Sequence, residues 1–290
     1  MNGIAVAPTR AASLPTASAL ELAEAEAWRD AWTLADEQET GPMRVVETPS
    51  ATSFVAPDVD VLFFNRVLGI GCQQPASPED IDAAVHLFRE AGSKRFFVQV
   101  APPADTPEVR ARLNSLGFVQ HNRWAKFARR TDVPVDAQTD LRVEEADPGD
   151  AWLLAAFSAS AFGWPAATQP FLARLARVGF WRFYVALDGD TPVAFGGMRL
   201  LDDVAYLGPA ITRPQHRGRG AQSALIQRRL RDAAVAGREW AIAETAEDRP
   251  DSPAPSFRNL RRLGFRLAYY RPNYLLPLPE TEHPPGGTRR

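Results

Sequence analysis

Apolar positions along the chain switch repeatedly between a helical and a strand-like period. Leu20, Ala23, Ala27, Ala31 and Leu34 share one face at helical spacing, so a helix is expected over Leu20 to Glu39, ended by Gly41-Pro42. Trp28 and Trp32 lie four apart on it, as core packing or as a pocket wall. Strands are expected over Met43–Glu47 and Val59–Leu68. Ser77-Pro78-Glu79-Asp80 then supplies an N-cap, a proline at the first helical position and early acids. The helix it opens carries Ile81, Ala84, Val85 and Phe88 and stops at Gly92. A strand over Lys94–Val100, a helix from Thr106-Pro107 and a strand from Gly117-Phe118 to about Ala128 complete this first series.

Residues 131–140 are polar and contain Pro134, the composition of a linker. A second series follows. It has a strand at Leu141–Val143, helices over Ala151–Phe162 and Thr168–Val178, and a hairpin of Phe180–Leu187 with Pro192–Leu200 around Asp188-Gly189-Asp190. Asp202 and Asp203 turn into a buried strand over Tyr206–Thr212. A helix from Ala221, striped by Leu225, Ile226, Leu230, Ala233 and Ala234, ends at Gly237. A strand at Glu239–Thr245, a helix at Ser256–Leu263 and a strand at Phe265–Tyr270 close the series. Residues 1–17 and 280–290 are polar or proline-dotted and are expected to be loose.

Both series end in strand, helix, Leu-Gly-Phe, strand, with the triplets at Leu116-Gly117-Phe118 and Leu263-Gly264-Phe265. This repetition predicts two copies of one α/β unit, divided as 1–135 and 139–279 with a tail at 280–290. At 290 residues each copy can bury its own core. A net charge of −2 gives no global field for nucleic acid or membrane, and the arginines cluster locally instead, around 213–231 and 258–271. A single cysteine, Cys72, excludes an internal disulfide. With no apolar signal-peptide core and no run long enough to span a bilayer, the expectation is a soluble, cytoplasmic protein.

The chemistry concentrates between Tyr206 and Gly237. Pro214 stops the strand, and Gly218 and Gly220 precede a helix whose first amides and dipole favour an anion. Arg213, His216, Arg217 and Arg219 add positive charge, which points to a phosphate or diphosphate ligand. A P-loop would need Gly-Lys-Ser/Thr where Gly-Ala-Gln stands, and a dinucleotide fingerprint would need glycine at Ser223. The loop instead matches Gln/Arg-x-x-Gly-x-Gly/Ala through Gln215, Gly218 and Gly220; a basic helix cap without a ligand is the alternative.

That signature, set between an apolar strand and an amphipathic helix, resembles the GNAT (GCN5-related) N-acetyltransferase family. The resemblance covers 140–276 and, more weakly, 43–130, so the chain looks like a tandem GNAT protein with a degenerate N-terminal copy. It implies an α/β fold of two GNAT-like domains, each a mixed, mostly antiparallel sheet flanked by helices, with splayed central strands in the C-terminal domain. It also implies acetyl-CoA as co-substrate, no metal, and acyl transfer by direct attack of an amine on the thioester. The acceptor would be a small-molecule amine or a peptide. Carried over by position, Gln215, Arg217, Gly218, Arg219, Gly220, Ala221 and Gln222 would hold the diphosphate. Ala210, Ile211 and Thr212 would pair with the pantetheine arm, and an amide near Gly208 would meet the oxyanion. The Gly208-Pro209 step marks a bulge or lost pairing.

Glu244, in an apolar strand beside the expected splay, is the candidate base; the plainer reading is a glutamate at a strand's exposed end. Two departures from the family pattern stand out. Pro253 occupies the usual place of an asparagine that touches CoA, with Ser256 as substitute or N-cap. Leu260 occupies the place of the tyrosine that protonates the leaving thiolate, with Tyr269 or Tyr270 beyond it as the remaining candidate acids. Phe162, Trp164 and Phe171 fall on the acceptor side of the fold, as wall or core. The loop of the first copy has no glycine pair after Gly71 and no arginine, and Glu79 and Asp80 already answer its helix dipole, so it is expected not to bind CoA. Cys72 in that loop has no visible base and reads as inert. A non-catalytic acyl-CoA sensor is the alternative to an enzyme, and no nucleic-acid motif accompanies the arginines.

Overall fold

The computed structural model describes residues 13–279; the expected loose tail at 280–290 and the first twelve residues lie outside the described residues. Helix α1 (Ala17–Trp32) starts at Thr16, whose hydroxyl accepts from the Ala19 amide. It ends well before Glu39. Asp36 accepts from the Gln38 amide and starts a separate turn, α2 (Glu37–Thr40), because a short carboxylate competes for the helix's own donors.

Strands β1 (Arg44–Glu47), β2 (Thr52–Val55) and β3 (Arg66–Leu68) follow. The single strand expected over 59–68 is broken by Asn65. Its buried amide accepts from the Ala56 N–H and donates to the Ala56 and Val59 carbonyls, which folds 56–65 into a loop and a 3-10 turn at Leu62–Phe64. Then come α3 (Pro78–Glu90), β4 (Arg95–Gln99), α4 (Pro107–Ser115) and β5 (Val119–Arg130). The second series comprises β6 (Arg142–Glu145), α5 (Ala151–Phe162), α6 (Gln169–Arg177), β7 (Trp181–Asp188) and β8 (Thr191–Leu200). It continues through β9 (Val204–Thr212), α7 (Ala221–Val235), β10 (Trp240–Ala246), α8 (Pro255–Arg262) and β11 (Arg266–Pro277).

The fold is α/β, with all strands in one mixed sheet of order β1-β2-β3-β4-β11-β5-β10-β9-β8-β7-β6. Among the described residues only β3–β4 and β9–β10 run parallel. The last strand of each series crosses to the other. β5 pairs with β10, β11 pairs with β4, and the two pair antiparallel with each other at the centre. The Leu-Gly-Phe triplets start this exchange with the same bonds. The Phe118 and Phe265 amides donate to Leu113 and Leu260, and the Gly117 and Gly264 amides to Asn114 and Arg261.

Residue parity in β10 fixes the two faces. Ala241 and Ala243 pack with Leu225, Ile226 and Leu230 of α7, whereas Ile242 faces the core of α1 with Trp28, Trp181 and Tyr206. Trp32 and Phe171 lie in that same core, 5.4 Å apart between ring centroids, so both serve packing. By the same alternation Glu244 points to the α1 side.

Candidate active site

Strands β9 and β10 part half-way along. Their register runs from Val204–Trp240 to Leu207–Ala243 and stops there, although β9 continues to Thr212 and β10 to Ala246. On its other edge β9 bulges. Gly196 opposes Ala210 and Met198 opposes Leu207, leaving Gly208-Pro209 opposite Gly197 alone. Gly208 has a packing reason as well, since a Cβ there would sit 2.3 Å from the Trp181 ring. Ala210, Ile211 and Thr212 therefore lie on a stretch whose β10-facing edge has no strand partner.

Past Thr212 the chain makes a 3-10 turn at Pro214–His216 and enters α7 with Gly220 as N-cap. Glycine cannot cap with a side chain. The first carbonyl-bound amide of the helix is that of Ala224, bonded to the Gly220 carbonyl, so the amides of Ala221, Gln222 and Ser223 are left without a carbonyl. Gln215, Arg217 and Gly218 are exposed, and nothing lies within 4 Å of a Cβ placed on Gly218. The linker packs on the other flank. A Cβ on Gly220 would meet the Gln138 carbonyl oxygen at 2.1 Å, and the Thr139 hydroxyl donates to the Arg219 carbonyl at 2.7 Å.

The side-chain charge is arranged differently from the sequence expectation. Arg219 turns back to Asp140 and Asp188, and His216 also faces Asp188 at 3.6 Å. Arg213 donates to the Pro192 carbonyl and lies over Phe157. Among these four, Arg217 alone is both exposed and outside any ion pair among the described residues. The Gln222 amide group donates to the Thr212 hydroxyl at 3.1 Å, tying the helix start to the free end of β9.

Glu244 is the first residue of β10 beyond the parting and is 11% exposed, so it is not at an open strand end. Its carboxylate accepts from Arg271 of β11 at 2.5 Å, Lys126 of β5 at 3.3 Å and the Tyr206 hydroxyl of β9 at 3.3 Å; Arg66 of β3 lies 3.9 Å away. Lys126, Arg66 and Arg271 also bind Glu24 of α1, and Arg271 binds Glu21 at 2.7 Å. Three carboxylates and three cations thus share one buried cluster, which keeps it neutral overall. Trp28 closes it by donating its indole N–H to the Tyr206 oxygen.

Burial, then the neighbouring charge of Glu24, raises the Glu244 carboxyl above its ordinary value against the pull of Lys126, Arg271 and Arg66. Glu24 goes the other way: burial opposes ionisation, but Arg271, Lys126 and Arg66 outweigh it and hold Glu24 well below the usual range. The cluster was not foreseen, except for Glu244. Its signal was a lone charge inside an apolar run, as in Lys126 between Ala125 and Phe127, or Glu24 on the face that carries Leu20 and Trp28.

Tyr269 lies on β11, separated from β10 by β5, and donates to Glu21 at 2.7 Å; burial and that carboxylate push its phenol far above its ordinary value. It is therefore away from the gap between β9 and β10. Tyr270 stacks on Phe257 on the opposite face. Ser256 is not an N-cap. Helix α8 begins at Pro255, its N-cap is Ala254, held by Asp248 at 2.8 Å, and Ser256 is exposed in the first turn. Leu260 is buried against α7.

The corresponding place in the first series is built differently. Ala104 lies 3.2 Å from where a Cβ of Gly71 would be, and Asp80 accepts from the Ser77 amide at 2.7 Å at the start of α3. Burial raises the Cys72 thiol to about 11, which leaves it protonated and unreactive near neutrality.

Parted parallel strands, a bulge beside them and a glycine-led helix start are the geometry that the loop signature implied, and residues 150–265 match the model of the acetyltransferase (GNAT) family. Residues 150–265 form a GNAT domain. Solved structures extend the likeness beyond it. A GCN5-related N-acetyltransferase from Kribbella flavida is 18% identical with a TM-score of 0.59, covering 92% of this chain and 96% of that one. Another from Sphaerobacter thermophilus is 17% identical with a TM-score of 0.59, covering 91% and 94%. A tandem GNAT protein from the clavulanic acid biosynthesis pathway is 16% identical with a TM-score of 0.53, covering 89% and 95%. At these identities the likeness is one of fold, and it spans both series. No curated protein matches the chain. Among the described residues, no helix is long and apolar enough to cross a membrane, and no group of three or more His, Cys, Asp or Glu is placed to hold a metal ion.

Proposed function

We propose that the GNAT domain transfers an acyl group, acetyl in the first instance, from its CoA thioester to an amine. The observation that carries this reading is the opening between β9 and β10 beyond Leu207–Ala243, next to helix amides without a carbonyl partner. A diphosphate seated on the amides of Gly218 to Gln222 would gain both the unpaired donors and the helix dipole, with Gln215 and Arg217 at its rim. Arg219 shapes this loop through Asp140 and Asp188 rather than meeting the ligand. The free edge of Ala210 to Thr212 offers backbone groups to the amides of the pantetheine arm, as a missing strand would.

The thioester would then lie near Gly208, whose amide is the candidate oxyanion donor, with Glu244 at the same level of the neighbouring strand. A carboxylate with a raised pKa suits removal of a proton from an ammonium acceptor, directly or through water. With Leu260 in the acid's usual place and Tyr269 engaged by Glu21, the thiolate takes its proton from the acceptor side or from solvent. CoA thiolate is a good enough leaving group for that route. Acetyl-CoA is the co-substrate in this reading, and the acceptor is an amine, on a small molecule or a peptide.

The test is release of free thiol from acetyl-CoA across a panel of small amines and peptides. Turnover with at least one amine, dependent on that amine, is expected. Bound coenzyme with no turnover on any member would favour the alternative, a non-catalytic acyl-CoA sensor, which the replacement of the usual tyrosine by Leu260 also suits.

A further inference from the structure

We infer that the first half of the chain belongs to the catalytic apparatus of the second: Glu24 of α1 and Lys126 of β5 are positioning residues that set the charge at Glu244. This rests on Glu244 acting as the base.

The geometry is that of the exchanged strands. β10 would lack a partner on its outer edge without β5, and the register places Lys126 directly opposite Glu244. Lys126 reaches Glu244 at 3.3 Å and also binds Glu24, so one ammonium is shared between a carboxylate of each half. Arg271 repeats the arrangement from β11, bonding Glu24 at 2.8 Å and Glu244 at 2.5 Å. The groups facing Glu244 from every packed element are thus Tyr206 of β9, Lys126 of β5, Arg271 of β11, Arg66 of β3, and Glu24 through the cations it shares. Glu21 stands behind Arg271, and Trp28 fixes the Tyr206 hydroxyl.

Two of these neighbours have opposite leverage. Glu24 is fully buried, and its negative charge opposes ionisation of Glu244; Lys126, equally buried, favours it. Both side chains are buried, so solvent screens their effect on Glu244 less than it would at the surface. The first half has no glycine pair after Gly71, and Asp80 already accepts from the Ser77 amide at the start of its helix, yet it keeps charged side chains buried where apolar ones would cost less. Their placement around one incompletely buried carboxylate accounts for that retention.

The experiment is the pH dependence of kcat/KM for amine-dependent thiol release, in the full chain. Glu24→Gln should move the acid limb to lower pH, and Lys126→Met should move it to higher pH, each by about one unit or more. The double variant, which keeps the cluster neutral, should bring the limb back toward the wild-type position. Lys126→Arg should leave it in place. Should the single variants fail to fold, Glu24→Asp, which withdraws the charge by one methylene, should shift the limb downward by less, and the double variant and Lys126→Arg remain informative. Shifts of both single variants in one direction, or an unmoved limb in all of them while Glu244→Gln abolishes it, overturn the positioning role. A limb that survives in Glu244→Gln overturns the role together with the assignment of the base.

Discussion

Glu244→Gln is expected to lower kcat for acyl transfer by about 10²–10⁴-fold, the range over which a positioned general base contributes. Glutamine keeps the shape and accepts from Arg271 and the Tyr206 hydroxyl, but it cannot take a proton from the acceptor amine. Coenzyme affinity should change little, because the diphosphate loop and the free edge of β9 do not involve this side chain. The pH dependence follows from the direction of its shift. Burial and the Glu24 charge favour the protonated carboxyl, so the working, ionised form appears only above the ordinary glutamate range, and the rate should rise with pH there. In Glu244→Gln that rise should be absent from the residual rate. The substitution also leaves Lys126 and Arg271 in excess inside the cluster, so thermal unfolding should be followed in parallel to separate lost chemistry from lost fold. A folded variant with an unchanged rate would remove Glu244 as the base.

Gly220→Val is expected to weaken coenzyme binding by more than tenfold. The position has a φ of +81°, which a β-branched residue adopts only under strain, and its Cβ would lie 2.1 Å from the Gln138 carbonyl oxygen. Either the linker lifts or the helix start rotates, and both displace the amides of Ala221 and Gln222. Gly218→Ala is the control. Its φ is +82°, but open space surrounds the new methyl, so only the left-handed backbone cost of about 1–2 kcal/mol applies. Isothermal titration with acetyl-CoA compares the two. A Gly220→Val protein that binds like wild type would show that the diphosphate does not depend on this helix start.

The loop and the paired series were legible in the sequence because each rests on local chemistry. Gly218, Gly220 and the apolar stripe of α7 lie within a few turns of one another, and Gly208-Pro209 announced the bulge by its own composition. Asn65 defeated the expectation of a long strand since its amide group satisfies carbonyls several residues away, which no hydrophobic period records. The exchange of β5 and β11 is a pairing choice between distant segments. Either strand reads the same in its own copy or in the other, and β11 runs on to Pro277 because β4 is there to receive it. The charge cluster escaped for the same reason: Glu24, Lys126, Glu244 and Arg271 are far apart in the chain and meet only through that exchange. Arg219 was the opposite case, a cation that looked available and is held by Asp140 and Asp188 from the linker and the hairpin.

The proposed function requires helix amides past Gln215 to hold the diphosphate of an acyl-CoA. Its most direct test is calorimetric titration of the wild-type protein with acetyl-CoA and with acetyl-pantetheine, which carries the same thioester and arm but no diphosphate. Saturable uptake of acetyl-CoA is expected, with at least hundredfold weaker uptake of the truncated thioester. No uptake of acetyl-CoA at millimolar concentration, or equal affinity for the two, would contradict it.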